Sequence, residues 1–449
     1  MAEAPQAALP PGDPRAILND SPMRTFQVVA VFLCFMLNAL DGFDVLAITF
    51  AAPGIAEEWG VRPGAIGLII SMGLIGMVLG SFLLGPVADR IGRRNQILLS
   101  LAIMVVGMLA SAAATSLVML GALRVFTGIG LGAMIASINA MAAEYANIRR
   151  RDLAVSVMAA GYPAGAVVGG WASAVLMQRY GWESVFVFGG LATLALVPFV
   201  LAFLPESISF LARTGWPDAL TRINRILRRM GHREATEILP NPAGPRPGMA
   251  ALFVPGTRGT TIALIAMYSF HLMSFYYALG WVPSLVTSAG FDKSTATMVS
   301  VVLNMGGAIG GFTLGLLTPR FGLRPILLIG LFGSWLAVIG FGQVPGELLA
   351  LQLSGFLVGF MSNGSVVGLY ALIARAYPTA SRASGTGIVI GAGRLGAATG
   401  PVIAGFLLSE GFSRSVTSTA LATGSLLAGL TLLYFKIRGA SESDLRDTH

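Results

Sequence analysis

Apolar runs of about 20 residues recur along the whole chain, and that is the length a helix needs to cross the hydrocarbon core of a bilayer. They fall near 26–50, 64–88, 95–115, 117–141, 153–176 and 184–204. After a polar stretch they resume near 260–280, 296–318, 325–343, 347–372, 384–408 and 415–436. An outer-membrane β-barrel would instead need strands of about 10 residues alternating apolar and polar, and these runs do not alternate. Only 11% of the 449 residues are charged, too few to clothe a soluble surface of this size. The expected class is therefore an all-α membrane protein with twelve transmembrane helices.

Orientation follows from where the basic residues lie, because Lys and Arg concentrate in cytoplasmic loops. With the N-terminus inside, the outer connections hold only Arg62, Arg179, Lys293 and Arg414, and Arg124 and Arg394 lie within spans. The rest of the 29 Lys and Arg fall on the inner side or at its edge, including Arg149, Arg150 and Arg151. Both termini are thus expected in the cytoplasm of a bacterial inner membrane. The net charge of +8 becomes a matter of topology, and nucleic acid is not expected as a partner.

The expected organisation is a disordered cytosolic tail over 1–23, a first six-helix bundle over 24–204 and a cytosolic loop over 205–258. A second bundle over 259–437 and a cytosolic tail over 438–449 complete it. The tail has Pro5, Pro10, Pro11 and Pro14 and lacks the basic start and short apolar core of a cleaved signal. In the central loop a helix is expected over 217–230, its arginines forming a solvated face near anionic headgroups. Asn241 and Pro242 through Pro247 should end any helix there.

The two halves repeat. Gly85, Arg90, Gly92 and Arg94 after the second span match Gly315, Arg320, Gly322 and Arg324 after the eighth, and Tyr145 and Arg150 match Tyr377 and Arg382. Internal duplication of membrane segments marks secondary transporters, which place the substrate between the repeats. Two bundles related by pseudo-two-fold symmetry are expected.

Asp41 and Asp44 lie within the first span. Each carboxyl at membrane depth costs about 2.5 kcal/mol or more unless paired, protonated or facing water, so the default reading is ion or proton handling. At about 1.5 Å per helical residue, Asp41 and Arg124 of span four come to similar depths. An Asp41–Arg124 or Asp44–Arg124 pair would offset the desolvation of both charges. Asp41, Asp44 and Arg124 are the candidate proton-coupling set.

The loop Gly85-Pro-Val-Ala-Asp-Arg-Ile-Gly-Arg-Arg94 resembles the signature between spans two and three of the major facilitator superfamily, and the resemblance covers nearly the whole chain. It implies that Asp89, Arg90, Arg93 and Arg94 form a charge network that breaks and reforms as the halves rock. Arg320 and Arg324 are its second copy, weakened by Pro319 at the position of Asp89. Glu144, at the inner end of span four, is expected to join this gate. More narrowly, Asp41-Gly42-Phe43-Asp44 resembles the acid motif of the aromatic acid:proton symporter family. Supporting pieces are Leu123 to Gly132 in span four, Glu144-Tyr145, Leu204-Pro205-Glu206-Ser207 and Gly393-Arg394-Leu395-Gly396.

That resemblance implies proton-driven uptake of a small aromatic carboxylate of the benzoate, hydroxybenzoate or protocatechuate kind. Arg394, near the middle of span eleven, offers a planar fork that suits a carboxylate. Span seven carries Tyr268, His271, Phe275 and Tyr276, whose rings and hydroxyls could hold a flat substrate. Asn38, Asn304 and Asn363 are secondary polar contacts at depth. The alternatives are a carrier for another organic acid, a sugar or a drug, and a membrane receptor that does not transport.

Other chemistries lack their residues. No Gly-rich loop ends in Gly-Lys-Ser or Gly-Lys-Thr, so ATP is not the direct drive. Three scattered histidines and one cysteine, Cys34, make neither a metal site nor a disulfide within the chain. No cofactor, no metal and no enzymatic activity are expected, and the working unit is expected to be a monomer with protons, its substrate and the bilayer as partners.

Overall fold

The computed structural model describes residues 10, 12–239, 258–377 and 382–435. Twelve of its helices are long and apolar enough to cross a membrane. In the first half these are α2 (Thr25–Trp59), α3 (Pro63–Leu83), α5 (Arg93–Ala112), α6 (Leu117–Tyr145), α7 (Arg151–Tyr180) and α8 (Glu183–Phe203). The second half has α11 (Arg258–Ser288), α12 (Lys293–Phe321), α13 (Leu323–Gln343), α14 (Leu348–Arg375), α15 (Arg382–Ser409) and α16 (Arg414–Tyr434). The short helices are α1 (Pro14–Asp20), α4 (Ala88–Ile91), α9 (Ile208–Arg213) and α10 (Ala219–Arg229). No strand occurs among the described residues.

Several helices outrun the apolar core that announces them. The first continues nine residues past the expected end at 50, through Pro53, Glu57 and Glu58, and stops where Gly60 takes a left-handed conformation. Helical hydrogen bonding does not end at the hydrocarbon boundary, so hydropathy underestimates helix length.

Packing repeats between the halves. In the first, α2 lies on α7, α3 on α6, and α5 on both α6 and α8; in the second, α11 lies on α15, α12 on α14, and α13 on both α14 and α16. Between halves α3 meets α15 and α7 meets α12, a pair of interfaces that a two-fold swap exchanges. Small residues set the closest approaches, as glycine does in membrane helices generally. Gly76 and Gly80 of α3 lie against the backbone of α6, and Gly306 and Gly310 of α12 lie against that of α14.

One expectation fails near the N-terminus. Residues 1–9 and 11 lie outside the described residues, but Pro14–Asp20 is a helix rather than disordered tail, with Pro14, Ala16, Ile17 and Leu18 buried. Its cap, Asp13, is bound by Arg15 at 2.7 Å. The segment is then tied to its surroundings: Thr236 donates to the Gly12 carbonyl at 3.1 Å, Ile148 to the Asn19 carbonyl at 3.2 Å, and Arg151 to Asn19 Oδ1 at 2.6 Å. Pro14 begins this helix, where a missing N–H costs nothing.

In the central loop, α10 occupies the expected stretch, and α9 precedes it. Ile223, Ile226 and Leu227 are buried, while Arg222, Arg225, Arg228 and Arg229 are exposed. Three of these arginines have protein partners: Arg222 pairs with Asp218 and Arg228 with Glu234, and Arg229 donates to the Ala202 carbonyl. The Asn241–Pro247 breaker and the tail 438–449 lie outside the described residues.

Candidate functional site

The two acids of α2 owe their placement to Gly42. A Cβ at that position would run into the Tyr162 carbonyl of α7, so α2 and α7 touch backbone to backbone there. Asp41 and Asp44, three residues apart, flank this contact on one side of the helix. They are 1% and 2% exposed.

Asp44 is the partner of Arg124, at 3.3 Å, and Arg124 is itself 3% exposed. The guanidinium also donates to Thr127 Oγ1 at 3.1 Å and Ser111 Oγ at 3.4 Å. It lies 4.9 Å from the centre of the Phe186 ring. The pair is incompletely satisfied: Asp44 Oδ2 and Arg124 Nε meet no hydrogen-bond partner. A cavity of about 10 Å³ adjoins them, lined by Asp44, Ile70, Leu74, Arg124 and Thr127 among others. That is close to the smallest space that accepts one water.

Asp41 has a different neighbour. Both of its oxygens lack hydrogen-bond partners, and the charges it faces are Arg394 of the second half and Asp44. Arg394 is half-buried and donates to Ser81 Oγ of α3 at 3.2 Å, a bond that crosses from one half to the other. Tyr370, Tyr268, Tyr276 and Asp41 surround it. Gly393 makes room for the Tyr268 ring, which a Cβ would strike. Tyr268 Oη donates to Tyr370 Oη at 3.1 Å, with the ring centres 5.8 Å apart. The site thus brings two guanidinium groups and two carboxyl groups together.

Other candidates are less available. His271 is fully buried, with Nδ1 3.0 Å from Ser425 Oγ and Nε2 2.9 Å from the Ser362 carbonyl. Both ring nitrogens are engaged within the second half, so a substrate contact or proton relay through His271 does not fit this geometry. Phe275 is 8% exposed and packs edge-on against Tyr276. Asn38 donates to the Met158 carbonyl at 2.9 Å and ties α2 to α7. Asn363 donates to the Gly307 carbonyl at 2.8 Å and ties α14 to α12. Asn304 bonds the Ser300 carbonyl one turn back on its own helix. These amides hold helices rather than projecting free donors. Nothing in the sequence singles out Ser81, Tyr162 or Tyr370. An unremarkable Ser or Tyr in an apolar run carries no signal until its neighbours are known.

At the face carrying the basic loops, Arg93 pairs with Glu144 at 2.8 Å. Glu144 accepts further bonds from Ser207 Oγ and the Ser209 N–H, both at 2.7 Å. Asp89 reaches Arg213 of α9 at 3.4 Å, an exposed pair. Arg94 donates its backbone N–H to Glu206 at 3.1 Å and its side chain to the Leu201 carbonyl at 2.6 Å. Glu206, absent from the candidates, is therefore a centre of this network. Burial pushes its carboxyl above the ordinary glutamate range, against the pull of the backbone N–H donors of Arg94 and Ser207. Gly92 has φ +97°, and a side chain there would strike Glu206.

The second copy is pared down. Arg324 donates to the Leu432 and Leu433 carbonyls at 3.2 Å, as Arg94 does to Leu201. Ala376 stands where Glu144 would repeat, and Pro319 where Asp89 would. Arg90 and Arg320 are exposed, Arg320 over the Phe321 ring at 5.5 Å.

The opposite face is shut. Glu57 pairs with Lys293 at 2.6 Å, the Gly64 N–H donates to Ser409 Oγ at 2.7 Å, and Gln178 donates to Ser294 Oγ at 2.9 Å. Deeper, Ser71 donates to the Ala398 carbonyl at 2.6 Å. Together with Ser81–Arg394, these polar ties join the two halves.

The family model of the Major Facilitator Superfamily matches residues 31–341 and 264–448. The chain belongs to the major facilitator superfamily. The gallate transporter of Pseudomonas putida is 32% identical over 94% of this chain and 95% of its own. The 4-hydroxybenzoate transporter PcaK of Acinetobacter baylyi is likewise 32% identical, over 94% of this chain and 93% of its own. Relatives of this kind agree with the resemblance to the aromatic acid:proton symporter family. Among solved structures, the partially occluded inward-open xylose transporter XylE of E. coli superposes with a TM-score of 0.72 at 15% identity, over 92% of this chain and 98% of that one. With its twelve apolar helices, this member of the superfamily is a multi-pass membrane protein.

Proposed function

We propose that this superfamily member takes up small aromatic carboxylates, of the benzoate, hydroxybenzoate or protocatechuate kind, together with protons. It does so as a monomer across the bacterial inner membrane, with both termini in the cytoplasm. The observation that carries this is Asp41, a buried carboxyl with no hydrogen-bond partner opposite Arg394.

The charge arithmetic gives the coupling. Arg124 with Asp44, and Arg394 with Asp41, leave the site neutral. A carboxylate arriving at Arg394 adds one negative charge in a poorly solvated place, and an uncompensated buried charge costs several kcal/mol. One proton on Asp41 restores neutrality, so substrate and proton are favoured together and each is disfavoured alone. The aromatic ring lies against Tyr268, Tyr276 and Tyr370, with Phe275 backing Tyr276. Asp44 and Arg124 form the second charge pair beside it, and Asp44 exchanges a proton through the adjoining one-water cavity only when that pair loosens.

Alternating access follows from the two ends. Outward opening breaks Glu57–Lys293 and Gly64–Ser409, while Asp89, Arg93, Arg94, Glu144 and Glu206 keep the basic loops of the first half a rigid unit. Orientation rests on the Lys and Arg bias. The test is uptake of labelled aromatic acids into proteoliposomes with an imposed inward proton gradient. Accumulation that collapses with the gradient supports the reading; accumulation indifferent to it overturns the coupling.

A further inference from the structure

A cleft of about 250 Å³ lies between the ends of α12, α13 and α14 at the face carrying the basic loops. Gly315 and Pro319 of α12, Leu323 and Ile326 of α13, and Gly368 and Arg375 of α14 are among the residues that line it. Its walls are apolar but for Thr318 and Arg375, and the Thr318 hydroxyl is spent on the Leu314 carbonyl of its own helix at 2.7 Å. The Arg375 side chain is exposed, and among the described residues it has no acid or hydrogen-bond partner. A Cβ built on Gly315 meets nothing within 4 Å, so the open space reaches the helix backbone.

The matching place in the first half is built differently. Counting from the matched Gly85 and Gly315, and from Tyr145 and Tyr377, Asp89, Arg93, Gln96 and Asn139 stand where the second half has Pro319, Leu323, Ile326 and Ala371. Four polar side chains give way to apolar ones. Arg375 reverses the exchange, standing where the first half has Ala143. The backbone differs too: α3 ends at Leu83 before a short turn, whereas α12 continues through Pro319 to Phe321. The segment after α8 roofs the first-half site, with Ser207 and the Ser209 N–H on Glu144 and Arg213 on Asp89. Among the described residues, only α12, α13 and α14 and the ends between them line the second-half cleft.

An apolar slot with an unpaired cation at its mouth is complementary to an amphiphile with an acidic head. The three lining helices cross the membrane, so acyl chains are at hand, and close packing disfavours leaving such a slot empty. The guanidinium fork suits phosphate oxygens, and basic pockets between spans on the cytoplasmic side take phospholipid head groups. The rival occupant is the acidic tail. Residues 438–449 carry Glu442, Asp444 and Asp447 but only Ala440 and Leu445 as apolar side chains, too little to fill an apolar slot. We propose that this cleft binds an anionic phospholipid, its phosphate on Arg375 and an acyl chain along Gly315 and Gly368. The site belongs to the second half alone and does not depend on which substrate the carrier moves.

The experiment melts the full-length protein in detergent with phosphatidylglycerol or with phosphatidylcholine of the same acyl chains. Phosphatidylglycerol should raise the melting temperature by about 2 °C or more beyond phosphatidylcholine. Arg375→Gln removes the head contact and Gly315→Leu fills the slot, and each should abolish that difference. Arg225→Gln, at an exposed arginine of α10, should keep it; loss there as well would mean that the lipid reads overall charge, and the site falls. Glycerol phosphate in place of lipid should do nothing, and a shift equal to that of the lipid would make the ligand a free anion and overturn the inference. Equal shifts from the two lipids, or a difference that survives in either cleft variant, overturn it too. So does a loss of stability in lipid-free Arg375→Gln that removal of residues 438–449 reproduces, which would seat the acidic tail there instead.

Discussion

Asp41 on α2 and Arg394 on α15 face each other across the seam between the halves, close enough to feel each other's charge yet with no hydrogen bond between them. Asp44, three residues on, is bonded to Arg124 within its own half. Two acids that look equivalent in the sequence are therefore placed differently, one inside a pair and one held open. The next experiments separate them.

Asp41→Asn leaves the site one positive charge in excess, a charge that an arriving carboxylate neutralises without a proton. Accumulation against a gradient should fall to background, while exchange of labelled for unlabelled acid across the proteoliposome membrane continues. Counterflow and gradient-driven uptake measured on the same vesicles check this. Loss of both, with the protein folded, would assign Asp41 to substrate binding alone.

Breaking the Asp44–Arg124 pair from one side should unfold more than it slows. Removing one partner of a buried pair strands the other, at about 3–5 kcal/mol. Arg124→Gln should thus lower the melting temperature in detergent sharply, and the double change with Asp44→Asn should recover much of the loss. A double variant no more stable than Arg124→Gln would mean that Thr127, Ser111 and Phe186, rather than Asp44, are what Arg124 serves.

How far the sequence anticipates this site depends on what kind of fact is asked of it. Hydropathy places all twelve spans, because apolar length is a local property. The loop repeat is legible because Gly92 and Gly322 both need positive φ, at +97° and +82°, and only glycine adopts that cheaply. Depth alone could bring Arg124 to the level of both aspartates but could not choose between them, since the choice depends on helix rotation. Rotation also explains His271. It looks exposed to the cavity by its position among aromatics, yet its face of α11 turns into Ser362 and Ser425. Tyr162 and Ser81 were invisible because their meaning lies in partners on other helices. The helix at Pro14–Asp20 is hidden in the sequence because the surrounding prolines mask a capped start.

Glu206 gives the loop network a measurable pH dependence. Its carboxyl is held above the ordinary glutamate range by burial, so the folded protein binds that proton more tightly than the unfolded chain. The resulting stability is complete below the ordinary glutamate value and is lost as pH rises through the raised one. Glu206→Gln removes this titration while keeping an oxygen for the Arg94 and Ser207 N–H groups. Melting temperature followed upward from mildly acid pH should therefore fall more steeply for the natural protein than for Glu206→Gln. Parallel curves would show that Glu206 titrates alike in both states.

The closed face offers a direct test of rocking. A Cβ built on Gly64 lies 3.9 Å from that of Ser409, within the spacing a disulfide requires, about 3.5–4.5 Å. The native Cys34 is buried and free, so it does not compete for the new thiols. Gly64→Cys with Ser409→Cys should crosslink under oxidation and stop transport, because α3 and α15 can no longer part at that end. Reduction should restore it, and each single variant should transport whether oxidised or not. If the crosslinked protein, verified by mass shift after proteolysis between the halves, still transports at its reduced rate, then this face does not open during the cycle. The substrate path would then have to leave the seam between α3 and α15 altogether.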